Sequence, residues 1–308
     1  MKILHNVSAQ KISWVKSNRF LEDIQGIKNL YFPETIGDIK KLLNQFISSN
    51  NQYDVIGYSS NVLFLSSYRM DNVICTKYLN NWYESENEIL CDCGVSVSKL
   101  ARYAVEQGYE GFEGLTDLPG TVAAGVYGNC GCRGCSVNSL VKSFTIIDSN
   151  GEEKQCVVDD LNLKYRSTSL KRGELRGTII SVILKKIQGD PVKLREIANN
   201  NHKIRKSLQP SGVNNLGTTI NGGKSLTIKG RILKVVEKII QLVFLTKDTR
   251  KSFPIVLKII GLKKYVPYVY YPNRYIFIDQ KSHELFSDYF EFIKTLYRDA
   301  RLEIEIRK

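Results

Sequence analysis

The chain has 308 residues, 43% hydrophobic and 24% charged, a balance that suits a globular protein and excludes a disordered or fibrous one. Residues 1–190 hold 21 Lys+Arg against 21 Asp+Glu, whereas residues 191–308 hold 23 against 10, so the net +13 belongs to the last 118 residues. A basic part of that size points to an anionic partner: nucleic acid, an acidic membrane surface or phosphorylated small molecules.

In chain order, residues 33–50 predict a helix behind a Pro-Glu-Thr start, with Ile36, Ile39, Leu42, Leu43 and Phe46 at helical spacing. DVIGYSSNVLFL then reads as a strand, a Gly/Ser turn and a second strand. ILCDCG is strand-like, and VSKLARYAVEQG is a helix ended by Gly108. A glycine-rich passage runs from Gly111 to Cys135, followed by strands at SFTIID and GTIISVILKKI and a helix at PVKLREIANNNHKIRKS. The basic part holds an amphipathic helix around RILKVVEKIIQLVFL, a strand at RYIFID, a helix at HELFSDYFEFIKTLYRDA and a last strand, RLEIEIR. The pattern is α+β and does not add up to a doubly wound parallel sheet. A short apolar start, MKILHNVSAQ, falls short of an export signal, and no apolar run spans a bilayer. With seven cysteines and no such signal, the expectation is a cytoplasmic chain with free thiols.

Two passages can cradle phosphate: the turn Gly57–Asn61 and the segment Leu118–Val122, where glycine lets backbone N–H groups approach an anion. Taken singly, each reads more simply as a tight turn. No G-x-G-x-x-G follows a strand. Cys130, Cys132 and Cys135 form C-x-C-x-x-C, and Cys91 and Cys93 are expected on one strand facing the same side. These thiols do not give four convergent ligands, so packing is the better reading and no metal is expected. Gly217–Ser225 nearly makes a P-loop, but its first glycine comes one residue early; with Asp279 as a mimic of a magnesium aspartate, an ATPase stays a minor reading. His5, His202 and His283 show no ligand spacing. The helix at 231–245, with Lys247, Arg250, Lys251, Lys263, Lys264, Tyr265, Tyr268, Tyr270 and Tyr271 nearby, suits an acidic membrane or single-stranded nucleic acid. A core helix with solvated lysines explains it more simply.

Together and in order, IGYSSNVLF, GFEGLTDLPGTVAAGVYGNCG, KYRSTSLK, RKSLQP, GTTIN and LEIEIR resemble the UDP-N-acetylenolpyruvoylglucosamine reductase family, the flavoenzymes also called UDP-N-acetylmuramate dehydrogenases. The resemblance covers roughly residues 30–308. It implies a two-subdomain FAD-binding module of the vanillyl-alcohol-oxidase type over residues 1–190, divided at about 1–85 and 86–190, then a basic substrate-binding domain over 191–308. It implies that Gly57, Tyr58, Ser59, Ser60 and Asn61 hold FAD together with Pro119, Gly120, Thr121 and Val122, and that Asn129 and Gly131 lie beside the flavin. No His or Cys for covalent attachment stands in IGYSSN, so the FAD is expected to be non-covalent, with NADPH as donor and an anionic sugar nucleotide as substrate. Nucleic acid and stable membrane insertion are not expected.

Reducing an enolpyruvyl double bond builds negative charge toward the carboxylate. A fixed cation or acid must stabilise that charge, and a proton donor must quench the adjacent carbon. The resemblance places these roles on Arg166, Thr218 and Glu305, and substrate contacts on Lys206 and Asn221. Alternation along a continuous last strand puts Glu303 and Glu305 on one face, with Leu302, Ile304 and Ile306 toward the core. The sequence departs from the family in several places, among them the Tyr-bearing insert of one subclass, which is absent between Lys186 and Lys206. No N-terminal Asn-Thr-Phe-x-x-Gly-Gly element is recognisable, Thr218 stands for the family's serine, and Asn221, Gly222 and Gly223 replace its Lys-Asn-Pro. The altered loop keeps open a paralogue acting on another sugar nucleotide in surface polysaccharide synthesis, or a flavin-binding protein without turnover.

Overall fold

The computed structural model describes residues 1–8, 25–64, 67–210, 217–221, 225–277 and 283–307. In chain order these form β1 (Lys2–Ser8), β2 (Gln25–Phe32), α1 (Ile36–Ser48), β3 (Tyr53–Ile56), β4 (Val62–Phe64), β5 (Met70–Cys75), β6 (Trp82–Glu84), β7 (Glu88–Asp92) and α2 (Val97–Glu106). There follow α3 (Val122–Tyr127), β8 (Gly131–Cys132), β9 (Cys135–Ser136), α4 (Val137–Leu140), β10 (Val141–Asp148), β11 (Glu153–Val157), β12 (Gly177–Lys185) and α5 (Pro191–Leu208). The remainder is β13 (Ile220–Asn221), α6 (Ile228–Val243), α7 (Thr249–Ile259), α8 (His283–Leu296), β14 (Arg301–Leu302) and β15 (Glu305–Arg307). No helix of the described residues is long and apolar enough to cross a membrane.

Two compact units emerge. The first takes in Met1–Ser8, Gln25–Ser59 and Arg69–Ile204; the second includes Ser60–Tyr68 and the chain from Arg205 onward. The division thus falls inside α5 rather than at residue 190, and β4 groups with the C-terminal part.

The first unit carries two sheets. One is mixed, in the order β1-β2-β5-β3, with β5 parallel to both β2 and β3. The other is antiparallel, in the order β11-β10-β12-β7-β6. Helix α1 starts with a reciprocal cap: Thr35 Oγ1 accepts from Asp38 N, and Asp38 Oδ2 accepts from Thr35 N and Glu34 N. These donors hold the Asp38 carboxyl below its ordinary pKa, the Glu34 amide first among them. The helix buries Ile39, Leu42, Leu43 and Phe46 in one cluster with Ile74 of β5, Ile147 of β10 and Ile180 of β12, so it binds the two sheets together. Each such side chain contributes about 1.5–3 kcal/mol relative to exposure. A larger cluster packs α2, α3 and α4 on the antiparallel sheet.

Cys91 and Cys93 do not face the same side. Cys91 lies in the cluster under α2 and Cys93 in the cluster around α1. Strand β7 ends at Asp92, and the chain turns at Gly94, where a Cβ would come within 1.9 Å of Thr76 O. Both thiols are fully buried, and burial pushes Cys91 up to about 12 and Cys93 higher still.

The second unit packs α6 against α7 and α8 around an aromatic core of Tyr265, Phe277, Phe286 and Tyr289. Glu237 of α6 is only 7% exposed and pairs with Arg274, whose guanidinium lies 4.2 Å from the Phe253 ring centroid. Ser252 Oγ donates to Glu237 Oε1 at 3.3 Å. The strand expected at RYIFID is not formed over its described part; residues 274–277 turn, and Phe277 makes one bridge to Val269. The last strand is broken at Glu303 and Ile304. Its first piece, β14, pairs antiparallel with β13, while its second, β15, pairs parallel with β4. Each piece follows a different partner, so simple alternation across the break does not hold. Of the three expected core residues only Ile304 is buried.

Candidate functional site

In the first unit the start of one candidate phosphate-cradle passage, Gly57–Ser59, meets the other. Gly57 lies against Thr121: a Cβ at Gly57 would come within 2.7 Å of Thr121 Oγ1, so only glycine fits. Around the Leu118–Val122 turn, Val97 N donates to Gly120 O, Val122 N to Val95 O and Ala123 N to Cys93 O. The N–H groups of Gly120 and Thr121, both buried residues, make no backbone hydrogen bond among the described residues. Two adjacent amides of this kind beside a glycine and a hydroxyl fit a pyrophosphate oxygen. Val122 is the exception: its amide is spent on Val95. Ser59 is buried with φ +52, and burial first, then the nearby Cys75 thiol, raise the Tyr58 phenol.

Asn129, Gly131 and Arg166 are brought together. Arg166, itself at φ +52, donates from Nη2 to Gly131 O at 2.8 Å and from Nη1 to Asn129 O at 3.4 Å. Its guanidinium carbon lies 5.5 Å from the Tyr165 ring centroid. Asn129, at φ +47, is the hub. Its Nδ2 donates to Lys164 O at 2.8 Å, and its Oδ1 accepts from Asn138 Nδ2 at 3.2 Å and Ser136 Oγ at 3.4 Å. Buried Asn138 also donates to Val126 O, and buried Thr168 donates to Tyr127 O at 2.7 Å. The Asn129 loop and the Arg166 loop are thus cross-tied at several points. Sequence reasoning missed Asn138, Ser136 and Thr168; polar residues amid the apolar SVNSL and RSTSL runs were the available signal.

The C-x-x-C spacing is that of a hairpin. Cys132 pairs with Cys135 across β8 and β9, and Arg133 (φ +53) with Gly134 (φ +84) make the two-residue turn. Cys135 Sγ lies near Gly114 N and Glu113 Oε1, and burial pushes it up to about 11. No three His, Cys, Asp or Glu side chains of the described residues converge as a metal-ligand group. His5 Nδ1 lies 2.9 Å from Asn29 Oδ1, and His202 Nδ1 lies 2.9 Å from Asp117 Oδ2.

The second unit holds the other named residues. Thr218 Oγ1 accepts from Asn273 Nδ2 at 3.3 Å. The next residue, Thr219, accepts at its carbonyl from Glu303 N, and Asn221 in β13 pairs with Arg301 of β14. Asn61 ties both glutamates by the backbone: its Nδ2 donates to Glu303 O, and its carbonyl accepts from Glu305 N, each at 2.9 Å. Glu305 stands on β15 opposite Val62, and its carboxylate meets Arg307 Nη2 at 3.5 Å. The 218–221 loop, the chain end and Asn61 are thereby one backbone-linked group. Ser60 belongs to this unit, and Lys206 is exposed in the last turn of α5. Gly222, Gly223 and Asp279 lie outside the described residues.

The FAD binding domain family matches residues 27–156, a stretch that contains both Gly57 and the Gly120–Thr121 amides. The crystal structure of UDP-N-acetylenolpyruvylglucosamine reductase from Thermus caldophilus has the same fold, with a TM-score of 0.65 and 18% identity over 91% of this chain and 92% of that one. UDP-N-acetylenolpyruvoylglucosamine reductase of Petrotoga mobilis is 29% identical over 195 residues, covering 59% of this chain and 64% of its own. That of Bacillus pumilus is 26% identical over 182 residues, 59% of this chain and 60% of its own. The matches thus span less than two thirds of these relatives' lengths. This chain is similar to UDP-N-acetylenolpyruvoylglucosamine reductases in part of its sequence and shares their fold.

Proposed function

We propose that the chain is an FAD-dependent, NADPH-linked enzyme that reduces UDP-N-acetylglucosamine enolpyruvate to UDP-N-acetylmuramate, a step of peptidoglycan precursor synthesis, in the cytoplasm. The observation that carries this reading is Arg166, a cation fixed by the carbonyls of Asn129 and Gly131 in the loop that the family sets beside its flavin. Bound non-covalently, FAD would supply the hydride chemistry between NADPH and the carbon–carbon double bond. The chain's own groups do the rest. Gly57, Gly120 and Thr121 receive the pyrophosphate, and Arg166 offsets the charge that builds toward the substrate carboxylate. The Thr218 hydroxyl and the Glu305 carboxyl stabilise and protonate the resulting enol. The excess of cations over residues 191–308, with Lys206 and Asn221 as contacts, suits a sugar diphosphate.

The test is one mixing experiment on purified, FAD-loaded protein. NADPH should bleach the flavin, and the enolpyruvyl sugar nucleotide should restore its colour. A protein that stays colourless after FAD reconstitution, or one that NADPH bleaches and the substrate does not recolour, contradicts the proposal.

A further inference from the structure

Helix α6 is apolar on two faces. Gly230, Leu233, Glu237 and Ile240 turn inward and are buried. Ile228, Ile232, Val235, Ile239 and Leu242, at alternating spacings of four and three, form a second stripe that is 55–76% exposed. The stripe runs on through Val243 and Phe244 to Leu245, which is 92% exposed.

The end of the helix is a Schellman turn. Thr246 N donates to Gln241 O and Leu245 N to Leu242 O, which leaves Leu245 at φ +47, a position that favours glycine. A large apolar side chain therefore projects into solvent from a backbone site that disfavours it. Folding of the described unit gives no reason for Leu there.

The charge around the stripe has one sign. Lys229, Arg231, Lys234 and Lys238 are all exposed, and the helix's single acid, Glu237, faces inward onto Arg274. Arg231, Lys234 and Lys238 have no carboxylate within salt-bridge distance among the described residues. Lys229 Nζ lies 6.0 Å from the Phe292 ring centroid, and Lys247, Lys251 and Lys258 add exposed cations on the following loop and helix.

We propose that this face docks on an anionic lipid bilayer surface, with α6 lying in the plane of the interface. The Ile/Val/Leu stripe enters the boundary between headgroups and acyl chains, Phe244 and Leu245 reach deepest, and the flanking cations meet lipid phosphates. Spanning is not involved, since α6 has 16 residues and a crossing needs about 20. A second copy of the chain is a poorer occupant: the positions flanking the stripe, Lys229, Arg231 and Lys238, would face their own like charges in a paired helix. An acidic protein helix would match the charge, but a rigid partner gains little from side chains projecting past the helix end.

The experiment is co-sedimentation of the full chain with vesicles of phosphatidylcholine alone, or with about a third phosphatidylserine. Binding to the acidic vesicles should be at least about 10-fold tighter than to the neutral ones and should weaken as salt shortens the screening length. The triple substitution Ile232→Ser, Ile239→Ser, Leu242→Ser should weaken it at least about 10-fold, while Arg231→Ser with Lys238→Ser should erase the preference for acidic lipid. FAD content and flavin bleaching by NADPH should not change in either variant, which separates this inference from the proposed activity. If the triple variant loses its thermal transition, Leu245→Ser alone serves, with a smaller expected loss. The proposal is overturned by failure to bind acidic vesicles, or by binding that survives every apolar substitution. It is equally overturned by self-association that the same substitutions abolish, or by saturable binding of an acidic amphipathic peptide without any binding to vesicles.

Discussion

The two units fix their candidate functional groups by opposite means. In the first, the Arg166 side chain is held by the carbonyls of Asn129 and Gly131, with Asn129, Asn138, Ser136 and Thr168 closing a dense polar network over residues 126–168. In the second, Glu305 is held by its main chain: β15 lies against β4, and Asn61 bonds both Glu303 and Glu305 across more than 240 positions of sequence. The first arrangement fixes a guanidinium within a pre-formed frame. The second makes the carboxyl's position depend on long-range pairing of strands two or three residues long. A polar network resists local change, whereas a chain end frays unless its few pairs hold.

The sharpest stability contrast lies in the buried polar groups of each unit. Glu237→Ala leaves the Arg274 guanidinium without its carboxylate, at 21% side-chain exposure, and should destabilise the second unit by about 3–5 kcal/mol. Denaturant melts of this variant should show an early transition; a loss under about 1 kcal/mol would place the pair effectively in solvent. Asn138→Ala should cost less, about 1–3 kcal/mol, since it removes one of two donors to Val126 O, the other being Asn129 N, and weakens the hold on Asn129. This change should also slow turnover through Arg166. An unaltered rate with reduced stability would show that the network serves folding alone.

A pH dependence also distinguishes the first unit. Burial raises the Cys91 thiol to about 12, and Cys93 rises for the same first cause. Below the unfolded thiol pKa, about 8.5, both states keep the proton and stability does not vary with these groups. Above it the unfolded chain ionises first, so stability falls by about 1.4 kcal/mol per pH unit per thiol until pH passes the folded value. Cys91→Ala should flatten this decline between about pH 9 and 12, measured by denaturant titration; an equally steep decline in the variant would assign it to other groups.

Local signals were legible. The Pro-Glu-Thr start and apolar face of α1 and the position of α2 follow from nearby residues, whereas the bonds from Arg166 to the Asn129–Gly131 loop do not. The break at Glu303–Ile304 was not, because RLEIEIR alternates well enough for one strand, and only its partners near residues 62–64 and 220–221 divide it. Cys93 was misplaced for a related reason: the strand's end is set by the tight approach of Gly94 to Thr76, not by the pattern of ILCDCG. The sequence reads α6 as a core helix with solvated lysines; its apolar residues fit the helical period equally well on both sides, and periodicity alone cannot say which side finds a neighbour.

Glu305 carries the central claim, since its role needs both the proposed chemistry and a docked chain end. Glu305→Gln keeps shape and polarity and removes the acid, and Glu303→Gln, within the break, is the matched control. In stopped-flow mixing, both FAD-loaded variants should be bleached by NADPH at the parental rate. Recolouring by the enolpyruvyl substrate should slow by about 10²–10⁴-fold in Glu305→Gln and change little in Glu303→Gln. Parental recolouring in both variants would contradict the account, leaving Glu305 as the outer edge of a short strand.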